Sequence, residues 1–156
     1  MLQVRKVMKN YKDLEIYKLS YELALKVHAK SLKLPSYEIY EEGSQVRRFS
    51  RGITSCIVEG YGRKKYRAEF VRFLVYAHAS CDETILHLKL INEMHKIDGN
   101  EIDSLINAYE DLGRKINKFI RYVETEWNKN STCDSLTRNT EHNLKGENYE
   151  SSISRS

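Results

Sequence analysis

YRAEFVRFLVYAHASCDETILHLKLINEMHK, residues 66–96, is the stretch whose reading decides the fold. Phe70, Leu74, Ala77, Cys81, Thr84, Leu88, Ile91 and His95 recur along it at alternating spacings of four and three. A strand would turn every second side chain to the same face. A 3.6-residue period instead returns these residues to one stripe, so the spacing predicts a single long amphipathic helix. At about 1.5 Å per residue, that helix is roughly 45 Å long.

The same period returns on both sides of this stretch. Residues 14–32 carry Leu19, Leu23 and Val27 on one stripe, with Tyr21, Leu25 and His28 beside it. Pro35 ends the segment, because its ring disfavours helical backbone at Leu34. YEIYEEG reads as an irregular connection and Ser44 as the cap of a second helix. That helix runs to about Tyr61 and buries Val46, Phe49, Ile53, Ile57 and Gly60, with Gly60 and Gly62 supplying a left-handed exit. After an IDGN turn, Ile102, Leu105, Tyr109, Leu112, Ile116, Phe119 and Val123 repeat the period to about Glu126.

Four helices with short connections define an all-α, antiparallel up-down-up-down four-helix bundle. The second helix is nearer 27 Å, at about 1.5 Å per residue, and falls short of the third. The part of the long seam it leaves uncovered is expected to meet another subunit, which makes the bundle a homo-oligomer.

Composition agrees with this reading. One Pro and seven Gly in 156 residues favour helix over sheet. The length is that of one domain, divided into an N-terminal extension (residues 1–12), the bundle (13–127) and a polar tail (128–156). The tail is rich in Ser, Asn and Thr without an apolar period, so it is expected to be disordered. Its four basic and four acidic residues cancel, which places the net charge of +4 in the rest of the chain. No run of eighteen apolar residues occurs, so no membrane span is expected, and the N-terminus lacks a secretory signal. Cys56, Cys81 and Cys133 have no pairing pattern and read as reduced thiols of a cytoplasmic protein.

Charge concentrates in residues 45–73, where eight cations face only Glu59 and Glu69. Arg51, Arg63, Lys64, Lys65 and Arg67 are placed to follow a phosphate backbone, and Tyr61 and Tyr66 flank the basic run as stacking surfaces for unpaired bases. The competing explanation is a solvated helix surface with internal ion pairs. Arg47 and Arg48 lie close to the apolar stripe, where a buried guanidinium needs a carboxylate, and Glu59 and Glu83 are the candidates. Arg47, Arg48, Glu59 and Glu83 are therefore assigned to structural or subunit contacts, Arg48 above all.

Catalytic and metal chemistry find no support in the spacing. A di-iron bundle needs Glu-x-x-His on two helices, and no His here has a Glu three residues before it. Glu83 and His87 form a single i, i+4 pair, no Cys-x-x-Cys is present, and GYGR is a helix stop and not a phosphate loop. Neither a cofactor nor an enzymatic activity is expected.

LEIYKLSYELALKVH, LPSYEIYEEGSQVRR, IVEGYGR and EFVRFLVYAHASCDE resemble the four-helix-bundle proteins encoded in intervening sequences of bacterial large-subunit rRNA genes. The resemblance covers about residues 11–126 and rests on Gln45-x-Arg47-Arg48, Glu59-Gly60-x-Gly62-Arg63 and Ala77-x-x-Ser80-x-x-Glu83. It adds Gln45 and Ser80 to the polar residues expected in structure or subunit contacts. The family is similar in fold to accessory variability determinants of diversity-generating retroelements. This likeness implies a pentameric barrel and a basic adaptor that binds RNA and a reverse transcriptase. Departures fall at Gly52, Cys56 and Ala79, where small residues are kept and the family's usual Asn is absent.

Because the tail offers no core residues, deleting residues 128–156 is expected to leave the melting temperature nearly unchanged. A large drop in a thermal melt would show that the tail packs.

Overall fold

A computed structural model of the chain describes residues 8–96 and 99–127. Residues 1–7, the IDGN positions 97–98 and the expected disordered tail lie outside the described residues. A 3-10 turn at Tyr11–Asp13 leads into α1 (Glu15–Ser31), a short α2 (Ser36–Tyr40), α3 (Glu42–Gly62), α4 (Arg67–His95) and α5 (Gly99–Glu126), and no strand occurs among the described residues.

Cross-helix pairs show that neighbouring helices run antiparallel. Lys115 Nζ meets Glu15 at 2.6 Å near one end of α1, and Lys30 pairs with Glu101 near the other. Between α4 and α5, Asn92 donates to Asp103 at 3.0 Å, and Arg67 donates to the Glu124 carbonyl at 3.2 Å at the far end. The cyclic order is α1, α3, α4, α5. Phe70, Leu74, Ala77, Cys81, Thr84, Leu88 and Ile91 of α4 are all buried, as the period requires, and they meet Ile53 and Ile57 of α3 and Tyr109, Leu112 and Ile116 of α5. Each such aliphatic or aromatic side chain removed from water contributes about 1.5–3 kcal/mol.

The ends depart from expectation in four ways. First, α3 starts at Glu42 and not at Ser44, because Pro35 opens the extra turn α2 in what reads as irregular chain. Second, α2 and the start of α3 cover the overhanging end of α4. His87 Nδ1 lies 2.7 Å from Glu42 Oε2 and its ring stacks on Phe49 at 5.3 Å. His95 Nε2 lies 3.3 Å from Glu38, within ion-pair distance but off the line of a hydrogen bond. The seam left over by unequal helix lengths is therefore closed inside the chain, and His87 engages Glu42 where the sequence paired it with Glu83.

Third, part of the N-terminal extension is built into the bundle. The Asn10 side chain accepts from the Lys12 amide at 2.8 Å, while Asp13 accepts from the Lys9 and Asn10 amides. The Tyr61 hydroxyl then donates to the Met8 carbonyl at 3.1 Å. Fourth, neither Gly60 nor Gly62 takes a left-handed conformation; among the described residues that conformation falls to Lys96, at the end of α4 (φ 47°).

Gly60 is needed for space. A Cβ there would sit 2.9 Å from Phe73 Cβ and 3.2 Å from the Phe70 ring, whereas one at Gly62 would meet nothing within 4 Å. Replacing each by Ala should therefore move stability in opposite directions. Gly60→Ala is expected to cost about 1–3 kcal/mol by forcing α3 off α4. Gly62→Ala should add about 0.5–1 kcal/mol through reduced chain entropy. Urea unfolding of the two variants checks the pair, and shifts of the same sign would contradict this account.

Candidate nucleic-acid interface

The turn joining α3 to α4 is a compact backbone structure. The Arg63 amide donates to the Glu59 and Gly60 carbonyls, Lys64 to Tyr61, and Tyr66 to Arg63 at 2.8 Å. These bonds hold residues 63–66 in a tight reversal at one end of the bundle. Helix α4 starts directly after it, with no side chain capping its first turn, so the positive end of that helix faces the same region.

Beneath the turn lies an aromatic cluster. Tyr61 packs edge-on against Phe70 and Trp127, and Phe70 also meets Phe119 and Trp127. Trp127 Nε1 donates to the Lys64 carbonyl at 3.2 Å, tying the end of α5 to the turn. The cations spread around this plug. Lys64 Nζ sits 4.0 Å above the Tyr61 ring, and Lys65 lies 5.8 Å from the Tyr66 ring. Arg63 faces Phe73 and pairs with Glu59 at 3.0 Å and Glu69 at 3.8 Å. Arg67 uses one amino group to cap the end of α5 at Glu124.

The basic residues expected to act together are therefore divided. Lys64, Lys65, Tyr66 and Arg67 share the turn, and Tyr66 is 63% exposed. Tyr61 is only 4% exposed, so its faces are closed to a base; it is a core residue and not a stacking platform. Burial, followed by the nearby Asp13, also pushes its phenol upward from the ordinary range. Arg63 has most of its charge matched by two carboxylates. Arg51 stands twelve residues back along α3, about 18 Å at helical rise, where its Nε donates to the Arg47 carbonyl. It lines the α1–α3 groove and not the turn.

The inner arginine is Arg47 and not Arg48. Arg47 donates to the Ser31 hydroxyl at 2.9 Å and to the Ile39 carbonyl at 2.7 Å, fastening α3 to α1 and α2. Its partners are neutral oxygens, where the sequence pointed to carboxylates. Arg48 and Glu83 are exposed and form no ion pair among the described residues, while Glu59 is taken by Arg63. Gln45 is exposed as well, and Ser80 lies against Gly52, 3.6 Å from where its Cβ would be. Cys81 is sealed in the core, where burial and then Asp82 push its thiol up to about 12; Cys56 is raised by burial and then Glu59. Thiols held protonated in this way are poor nucleophiles.

Sequence reasoning missed Trp127, which closes over the turn. Trp127 follows Val123 by four residues and thus continues the apolar period, a signal that was present. The side-by-side placement of α5 and the turn is tertiary and left no local trace. Among the described residues, no three His, Cys, Asp or Glu side chains converge as a metal site would need, and no helix is long and apolar enough to cross a membrane.

The fold and the turn together define a class, the all-α four-helix bundle with a basic inter-helix turn. Residues 12–118 match the 23S rRNA-intervening sequence protein family, and the chain belongs to that family. A solved structure from Bacteroides thetaiotaomicron VPI-5482, described as a protein with unknown function from the S23 ribosomal protein family, superposes with a TM-score of 0.62. It is 20% identical and the match covers 68% of this chain and 95% of that one, a likeness of fold. No curated protein matches the sequence significantly.

Replacing Arg47 by Ala removes a charged donor from the Ser31 hydroxyl, which keeps its bond to the His28 carbonyl, and from the Ile39 carbonyl, and should cost about 1.5–3 kcal/mol of stability. Arg47→Lys should recover little, since one ammonium on a flexible stem does not reproduce the two-pronged geometry. A denaturation series that finds Lys equivalent to Arg would refute this role.

Proposed function

We propose that the chain is a non-enzymatic, homo-oligomeric RNA-binding adaptor that grips the phosphate backbone at the α3–α4 turn. The observation that carries this reading is the set Lys64, Lys65, Tyr66 and Arg67 on a rigid turn. Its neighbouring carboxylates, Glu59 and Glu69, are engaged by Arg63. Lys and Arg so placed release counterions from RNA and add affinity that is independent of sequence. Tyr66 offers an open ring on which an unpaired base can stack.

Assembly follows from the family resemblance, which implies a pentameric ring, and from apolar side chains left exposed on α1 and α4. A ring would repeat the turn and let weak contacts sum through multivalency.

The test is Lys64→Ala combined with Lys65→Ala, in a salt titration of binding to unstructured RNA. Affinity should fall alike for all sequences, and the salt slope should flatten by about one unit for each lysine–phosphate pair removed. Assembly should hold and the melting temperature should fall only slightly, because Lys65 is exposed and the half-buried Lys64 gives up only its place over the Tyr61 ring, a contact of about 0.5–1 kcal/mol. Equal affinity and equal slope for variant and wild type would reduce the turn to solvated surface.

A further inference from the structure

Residues 1–12 hold Arg5, Lys6, Lys9 and Lys12 and no acid, so their side chains carry the +4 that is the net charge of the whole chain. Everywhere else, the basic stretch of residues 45–73 included, cations are balanced by acids over the remainder of the sequence. A run of one charge sign at a chain end is the form taken by basic arms that contact nucleic acid.

Tyr61 fixes where this arm meets the bundle. Lys64 Nζ sits 4.0 Å above its ring, and its hydroxyl donates to the Met8 carbonyl at 3.1 Å. One buried side chain thus touches the basic turn with its face and the N-terminal extension with its tip. The described part of the extension is itself held firmly. The Lys12 amide donates to the Asn10 side chain, the Lys9 amide donates to Asp13 at 2.9 Å, and Tyr11 packs edge-on against Tyr17 at 4.9 Å. The 3-10 turn so formed touches both α1 and α3.

Lys9 and Lys12 are exposed, and their ammonium groups enter no ion pair among the described residues. The acids beside them are directed elsewhere. Asp13 accepts from the Lys9 and Asn10 amides, and Glu15 is taken by Lys115 at 2.6 Å. A phenylalanine at position 61 would fill the same core space; the hydroxyl adds the bond to the extension.

We infer that the N-terminal extension and the α3–α4 turn form one two-part surface for unstructured RNA. Lys9 and Lys12 contact phosphates next to those gripped by Lys64 and Lys65, and Tyr61 is the positioning residue that joins the two parts. The inference rests on the RNA-binding reading above and enlarges its site. It also gives a role to a tyrosine whose burial closes its faces to a base.

The experiment is a salt titration of oligouridylate binding, with thermal melts to show that each full-length variant is folded. Lys9→Ala with Lys12→Ala keeps both capping amides, and Tyr61→Phe keeps the aromatic plug. The arm pair should lose affinity and flatten the salt slope by about one unit for each phosphate contact removed, as the Lys64/Lys65 pair should. Tyr61→Phe removes no cation. Its affinity should fall about two- to tenfold, the worth of one hydrogen bond, equally at every salt concentration and with the slope unchanged, because the same contacts form from a less ordered site. Lys33→Ala with Lys89→Ala, two exposed cations away from the turn, should behave as wild type.

An arm pair equal to wild type in affinity and slope would overturn the inference and leave the turn to be decided by its own variant. Tyr61→Phe equal to wild type would overturn the joining of the two parts. A loss from the Lys33/Lys89 pair as large as that from the arm pair would overturn the inference in favour of unspecific attraction. An arm effect without any turn effect would refute the reading at the turn and the shared surface with it.

Discussion

One constraint governs the structure: α4 carries a single unbroken apolar seam along 29 residues, and shorter helices must cover it. Helix α5, of 28 residues, runs nearly its full length, while α3 has 21 and stops short. The chain resolves the mismatch with α2 and the first turn of α3, which cover the overhang and anchor there through Glu38 to His95 and Glu42 to His87. Leu34, buried beside the Pro35 turn, joins Val27, Val46, Leu88, Ile91 and Ile102 around a residual cavity of only about 40 Å³. The overhang is thus drawn into the one continuous core of the bundle.

At the opposite end the same helices converge on an aromatic plug. Gly60 lets α3 approach α4 closely enough for Phe70 and Phe73 to pack on its backbone, and Trp127 closes the end of α5 over Tyr61. The basic turn is rigid because this plug lies under it: its carbonyl at Lys64 and the ring below Lys64 Nζ both belong to the packed core. Stability and electrostatics are coupled here, since the residues that fix the turn also present its cations. Arg63, drawn into Glu59 and Glu69, neutralises the two carboxylates that would otherwise weaken the field of its neighbours.

Helices α1 and α4 each present apolar residues on two faces, which separates them from α5. A strongly two-sided helix such as α5 is complete once its apolar face is buried. The other two satisfy the bundle and still expose Leu25, Leu86 and their neighbours. That asymmetry gives the monomer one polar flank and two sticky ones, and it aligns the proposed self-association with the helix faces that do not carry the basic turn.

Most of the core was legible from spacing alone. Each seam residue from Phe70 to Ile91, and Ile102, Leu105, Tyr109, Leu112, Ile116 and Val123 on α5, is buried where a 3.6-residue period places it, because burial on a helix is a periodic, local property. The family was legible as well, since its motifs are contiguous strings. The partners of polar side chains were not. Arg47 and Arg48 are adjacent in sequence, and a rotation of about 100° between them decides which reaches Ser31 and which meets water. Tyr61 reads as a flanking aromatic until Trp127, sixty-six residues later, is brought against it. Glycines 60 and 62 look alike in sequence, yet only the approach of α4 makes one of them a necessity of space. Local periodicity determined which residues leave water. The meeting of distant segments determined which charges remain free to bind, because charge availability depends on partners that only tertiary packing supplies.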